Sequence, residues 1–217
     1  APKRPRAATG ARIDTIGVTL RRLANDKTFW LLAGGFFICG FTTAGVIKIH
    51  LIPYAVSCGF APLQSAAAYG VLSLFSMIGM IVYGHLSDRF HRPMLLASIY
   101  LLRALTFILL MQIAGSVPAL YIFAVLFGIF DYSTFPLVAS LVATHIGRHI
   151  MGVTMGLMFA GHSLGAAVGS FMGGYMFDLS ARYDWVWIVS VGLAVTAGLL
   201  SLLIVENRPG VAAPAPA

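Results

Sequence analysis

Six stretches of the chain, residues 29–53, 63–84, 93–113, 118–142, 151–177 and 185–205, are long, almost uncharged and strongly apolar. No other feature limits the fold as severely. The hydrocarbon core of a bilayer is crossed by a helix of about 20 apolar residues. It holds no water to satisfy backbone N–H and C=O groups, so each run must close its own hydrogen bonds as a helix. The period-two alternation of a membrane β-strand is absent. Composition agrees, with 59% of the 217 residues hydrophobic and 10% charged, against about 25% charged in a water-facing domain. The sequence therefore predicts an all-α integral membrane protein with six transmembrane helices.

The basic residues set the orientation. The net charge of +7 does not point to nucleic acid, because half of the Lys and Arg precede the first apolar run. With the N-terminus inside, the cytoplasmic segments hold eleven Lys/Arg: seven in 1–28, two in 85–92 and one each in 143–150 and 206–217. The opposite segments, 54–62, 114–117 and 178–184, hold only Arg182, while Lys48 and Arg103 fall within runs. That bias predicts both termini on the cytoplasmic side. Residues 1–28 read as a cytoplasmic basic linker. Within it Ile13, Ile16, Leu20 and Leu23 share a helical face apart from Arg12, Arg21 and Arg22, the pattern of an interfacial helix. An ordinary basic linker is the other reading of this segment. Residues 29–205 form the transmembrane domain, and 206–217 read as a disordered tail. The chain opens on Ala with no signal peptide, and reads as a piece of something longer.

A repeat lies inside the domain. Gly84-x-x-x-Asp88 followed by Arg92 recurs as Gly174-x-x-x-Asp178 followed by Arg182, an offset of 90 residues, and the apolar runs recur at nearly the same spacing. Three helices followed by three equivalents must be inverted, since three is odd. Such 3+3 inverted repeats are found in secondary transporters.

The stretch "GHLSDRFHRP" at 84–93 resembles the cytoplasmic loop motif of the major facilitator superfamily, Gly-x-x-x-Asp-Arg-x-Gly-Arg-Arg/Lys. Gly84, Asp88, Arg89 and Arg92 match, while His91 replaces a glycine and Pro93 a second basic residue. The resemblance covers the whole chain. It implies helices seven to twelve of a twelve-helix transporter, with a missing N-terminal six-helix half as partner. The segments "HLIPYA" at 50–55 and "GHSLGAAVGSFMGGYMFD" at 161–178 further resemble bacterial relatives of monocarboxylate and oxalate/formate carriers. The implied function is secondary active transport of a small solute by alternating access, namely a proton-coupled organic anion, in a bacterial inner membrane and without a cofactor. In the family the carboxylate at Asp88 is implied to latch the two halves. By position it can cap the third helix or face another helix's positive end. A purely topogenic loop is the plainer reading.

Ionisable groups in apolar runs cost about 2.5–3.5 kcal/mol at mid-helix and mark function by default. Lys48, His50, Arg103 and Asp131 are the substrate or proton candidates. Arg103 and Asp131 both fall about 15 Å deep at 1.5 Å per residue, which predicts a direct ion pair, either a staple or a switch. Lys48 can snorkel to the outer interface; by the resemblance, Lys48 or His50 can instead meet an anionic substrate or carry a proton. His162 reads as packing. So do Cys39 and Cys58, which lack metal-ligand spacing. His145 and His149 are four apart but have no acidic or cysteine partner nearby, so no metal is expected. No hydrolase, metalloprotease or P-loop motif argues for an enzyme. Gly161, Gly165, Gly169 and Gly173 form a smooth strip for close helix approach, either static or sliding against the other half. Gly152 and Gly156 begin a similar ladder. Pro136 is expected to kink the fourth helix and free carbonyls near Asp131, with Pro53 and Pro118 acting likewise on their helices. A six-helix receptor or assembly subunit is the alternative to a transporter.

Overall fold

The computed structural model describes residues 16–113 and 115–206, and within them all regular structure is helical. The linker up to residue 15, with Arg12 and Ile13, and the tail from residue 207 lie outside the described residues. A short helix α1 (Ile16–Ala24) leads into α2 (Lys27–Ser57), α3 (Pro62–Arg89) and α4 (Arg92–Leu110). The second set is α5 (Val117–Asp131), continued by α6 (Thr134–Leu141), then α7 (Met151–Ser180) and α8 (Asp184–Leu202).

Local chemistry sets the starts. The Asp26 carboxylate accepts from Phe29 N at 3.0 Å and caps α2. Pro62, Pro93 and Pro118 stand in the first turns of α3, α4 and α5, where a missing N–H costs nothing. Pro118 thus opens a helix rather than bending one. Helical turns then run for 64 residues, from Val117 to Ser180. At 1.5 Å per residue that is about 96 Å, far more than one crossing. The stretch is two crossings. Gly147, at φ 116°, turns the chain, and the Phe135 and Phe159 rings on either side return to 5.4 Å of one another.

Two crossings depart from regular α-helix. The fourth is broken between α5 and α6 at Tyr132–Ser133. Pro136 has no N–H to offer the Tyr132 carbonyl, which instead accepts from Phe135 N at 3.2 Å. The first passes through Pro53 without breaking but widens to π turns over Gly40–Ile47. There the Thr42 and Thr43 hydroxyls donate back to the Ile38 and Cys39 carbonyls at 2.9 and 2.7 Å. These bonds compete for acceptors that regular α turns would use.

The packing carries the inverted repeat. α2 lies against α7, α3 against α5, and α4 against α8. Exchanging the first three crossings with the second three turns the first pairing into the second and the third into itself. The tightest contacts follow the same exchange. A Cβ on Gly40 would fall 1.9 Å from the His162 carbonyl oxygen, and one on Gly128 would fall 2.5 Å from that of Leu72. Likewise a Cβ on Gly169 would fall 2.5 Å from the Phe41 carbonyl oxygen, and one on Gly79 2.0 Å from that of Ile129. Glycine at these crossings lets backbones touch.

The glycine strip is divided between a packed part and an open part. Gly165, Gly169 and Gly173 pack onto α2, within this six-helix unit, whereas Gly161, Gly152 and Gly156 meet no neighbour within 4 Å. The described part of the basic segment is helical. Leu23 sits in the core, Ile16 and Leu20 stay exposed, and Trp30 Nε1 donates to the Ala24 carbonyl at 2.8 Å, tying α1 to α2.

These contacts generate a prediction. Gly40→Ala and Gly79→Ala should each cost about 1–3 kcal/mol through overpacking. Gly156→Ala should stay within about 0.5 kcal/mol of the parent. Thermal unfolding in detergent checks the difference.

Candidate functional site

The candidate site lies where the two irregular crossings meet. Asp131 is the last residue of α5 and is 2% exposed. Its carboxylate accepts from Ser76 Oγ of α3 at 3.3 Å and faces Lys48 Nζ of α2 at 3.9 Å. Lys48 also donates to Tyr132 Oη at 2.7 Å and lies 4.2 Å from the centre of that ring. The ammonium is therefore engaged with α5 and the residue beyond it, rather than snorkelling away from the bundle. Beside it opens a cleft of about 380 Å³ lined by Ser73, Met77, Met80, Tyr132 and Phe135. Its walls are mostly apolar, and Tyr132 joins them to the charged pair.

Arg103 is fully buried, and it does not form the direct pair with the Asp131 carboxylate that equal depth suggests. Its Nη2 donates to the backbone carbonyls of Phe130 and Asp131, the latter at 3.0 Å, and its Nη1 donates to Cys39 Sγ at 3.2 Å. The Tyr100 and Phe127 ring centres lie 5.5 and 5.9 Å from the guanidinium carbon. The physical reason is the break at Tyr132–Ser133. It leaves the last carbonyls of α5 short of helical N–H partners, and these face α4. The carboxylate instead leaves α5 toward α2 and α3, where Lys48 and Ser76 meet it. Cys39 is accordingly more than packing: it accepts from Arg103 and lies 3.6 Å from Thr134 Oγ1 and 3.8 Å from Thr43 Oγ1.

His50 stands apart from this cluster. Its Nε2 donates to the Ser170 carbonyl at 3.1 Å, its ring fills the notch at Gly173, and the Tyr183 ring lies 5.6 Å away. His162 packs against Phe36 and Phe135 at 4.8 and 6.1 Å between ring centres. His145 and His149 diverge, the first donating to the Val205 carbonyl at 2.7 Å and the second facing Arg22 at 3.4 Å. Among the described residues no three His, Cys, Asp or Glu side chains converge as a metal site.

At the loop motif the structure selects an acid that sequence reasoning missed. The Glu206 carboxylate, wholly buried, lies 2.6 Å from Arg92 Nε, accepts from Arg92 N at 3.2 Å and meets His91 Nε2 at 3.4 Å. Arg92 Nη1 also donates to Ser140 Oγ at 2.8 Å. Glu206 thus occupies the positive end of α4, the place expected for Asp88. Asp88 and Arg89 are exposed, and no described residue bonds either one. A Cβ on Gly84 would meet the Pro136 ring at 3.7 Å, ordinary contact. The available signal was an acid directly after the last apolar run, on the same side as the basic loop.

Six antiparallel crossings, an inverted repeat and charges buried at its centre define an all-helical integral membrane protein. The family model of the Major Facilitator Superfamily matches residues 30–217, and the chain belongs to that superfamily. Its fold is similar to that of a variant of the E. coli fucose:proton symporter FucP, with a TM-score of 0.71 at 18% identity. The match covers 89% of this chain and 46% of the symporter, so the chain spans less than half the symporter's length. No curated protein sequence matches it.

The Glu206 arrangement predicts a contrast. Glu206→Ala leaves Arg92 buried without its anion and should cost about 3–5 kcal/mol. Asp88→Ala, at an exposed position, should change stability by less than about 0.5 kcal/mol. Chemical unfolding of the two variants in detergent measures both.

Proposed function

We propose that the chain is the C-terminal half of a secondary active transporter that moves a small organic anion together with protons. One observation carries the reading. Two cations, Lys48 and Arg103, lie near one buried carboxylate, Asp131, so with the Cys39 sulfur as a neutral thiol the centre of the bundle has one positive charge in excess. Uncompensated charge is costly in a membrane interior. An anion reaching Lys48 from the adjoining cleft would balance it. Asp131 would then be free to take up a proton as the substrate displaces it from Lys48. This is one exchange of partners rather than two separate events. The reading is of a transporter, not an enzyme, and invokes no cofactor.

The same proposal places the protein in a bacterial inner membrane with both termini cytoplasmic, in contact with lipid and with an N-terminal six-helix half. Support for that partner comes from α3 and α7. Both present exposed apolar residues, among them Met77, Ile81, Leu164 and Phe171, and α7 adds the open glycines Gly152, Gly156 and Gly161. Such a face needs lipid or a second helical surface against it.

Two experiments follow. In the intact transporter reconstituted in vesicles, small carboxylates should be taken up saturably and faster under an inward proton gradient. Lys48→Gln should raise KM by about tenfold or more, the scale of one lost charge-assisted bond. Asp131→Asn should abolish the response to the gradient. Uptake of neutral solutes alone, indifferent to both changes, would overturn the proposal. For orientation, single cysteines at Ala61 and Asp88, in a chain lacking Cys58, should be labelled from opposite sides of the membrane by an impermeant reagent. Labelling of both from outside would contradict it.

A further inference from the structure

Arg103 belongs neither to the cleft nor to the ion pair, yet among the described residues it is the largest charged side chain wholly enclosed by the bundle. Its contacts share a feature. Nη2 binds the carbonyls of Phe130 and Asp131, directly before the break between α5 and α6. Nη1 binds Sγ of Cys39, the residue directly before the π segment Gly40–Ile47 of α2. The π segment ends at Ile47 and is followed by Lys48; the break follows Asp131. One guanidinium therefore grips the root of both irregular segments, and each segment presents one member of the Lys48–Asp131 pair. Among the described residues Nε alone on this side chain has no partner, so the grip is made by the two outer nitrogens.

The chemistry suits arginine and no other residue. The carbonyls at the end of α5 carry the negative end of its dipole and attract a cation. A planar fork can hold acceptors on two helices at once, whereas a lysine ammonium offers one compact point. Breaks and π turns are the places where a helix can settle in more than one arrangement, so something must fix the direction in which Lys48 and Asp131 point. α4 also meets α8 away from this grip, where Gly198 packs against Leu101.

We infer that Arg103 is a positioning residue. It clamps the α5–α6 break to the π segment of α2 and so holds Lys48 and Asp131 in register, without touching substrate. The inference rests on the Lys48–Asp131 pair being the working centre of the site.

The test reads the pair directly. In the intact, folded protein in detergent, the acylation rate of Lys48 by sulfo-N-hydroxysuccinimide acetate is followed by peptide mass spectrometry. In the parent the amine is engaged and reacts slowly. Asp131→Asn should accelerate it about tenfold, the scale of a lost bond to a charged group. Arg103→Lys keeps the charge but not the fork, and should accelerate Lys48 to a similar rate while the protein stays helical. Cys39→Ala removes one arm only and should give an intermediate rate. Arg103→Lys added to Asp131→Asn should produce no further acceleration, since both act through one contact. A residue that merely stabilised the bundle would lower the unfolding midpoint and leave the Lys48 rate unchanged. If Asp131→Asn accelerates Lys48 while Arg103→Lys and Cys39→Ala do not, the positioning role is overturned and the pair stands. If Asp131→Asn has no effect, the pair itself is wrong and the clamp falls with it. Should Arg103→Lys fail to fold, Cys39→Ala decides alone, with a parent-like rate counting against the inference.

Discussion

A helix inside a bilayer must satisfy every one of its carbonyls from protein, because lipid offers no donor. The centre of this molecule is organised around the place where that demand is hardest to meet. Pro136 removes a donor from the fourth crossing, and the helix breaks at Tyr132–Ser133. The carbonyls of Phe130 and Asp131 turn to Arg103 of α4. Burying a guanidinium there would be costly by itself. It is stabilised because the broken helix end, the Cys39 sulfur and two aromatic faces surround it. With Arg103 committed to backbone and sulfur, the Asp131 side chain is left to Lys48 and Ser76.

The rest of the bundle makes this centre possible. Glycines at Gly40, Gly128, Gly79 and Gly169 bring α2 onto α7 and α3 onto α5 at backbone contact. The two crossings that carry Lys48 and Asp131 are thereby each fixed by the partner demanded by the inverted repeat. At the far end, Glu206 ties the last crossing to the start of α4 through Arg92. The buried pair is set against a mostly apolar cleft lined by Met77, Met80, Tyr132 and Phe135.

Much of this was legible in the residues. Apolar run length alone located the crossings, and the 90-residue recurrence of Gly84 and Asp88 in Gly174 and Asp178 located the repeat. Scarcity of charge singled out Lys48, Arg103 and Asp131. The partners were not legible, because counting residues at 1.5 Å gives depth and says nothing of azimuth. Arg103 and Asp131 share a depth, but the break at Tyr132–Ser133 offers Arg103 the backbone. The π segment Gly40–Ile47 adds residues to each turn, so a 3.6-residue wheel cannot say which way Lys48 points. Glycine spacing showed a strip on α7 without showing whether α2 or another half lies against it. Glu206 escaped notice because it is 114 residues from Arg92 and follows the last apolar run.

The central claim is that Lys48, and not Arg103, is the cation facing the Asp131 carboxylate. Magic-angle spinning NMR of the protein in lipid, with the side-chain carboxyl carbon of aspartate and the side-chain nitrogens of lysine and arginine isotopically labelled, measures this directly. The account predicts a dipolar coupling between Lys48 Nζ and the Asp131 carboxyl carbon, lost on Lys48→Gln, consistent with a nitrogen-to-oxygen separation of 3.9 Å. A stronger coupling of that carbon to the Arg103 guanidinium, with Lys48 uncoupled, would contradict it.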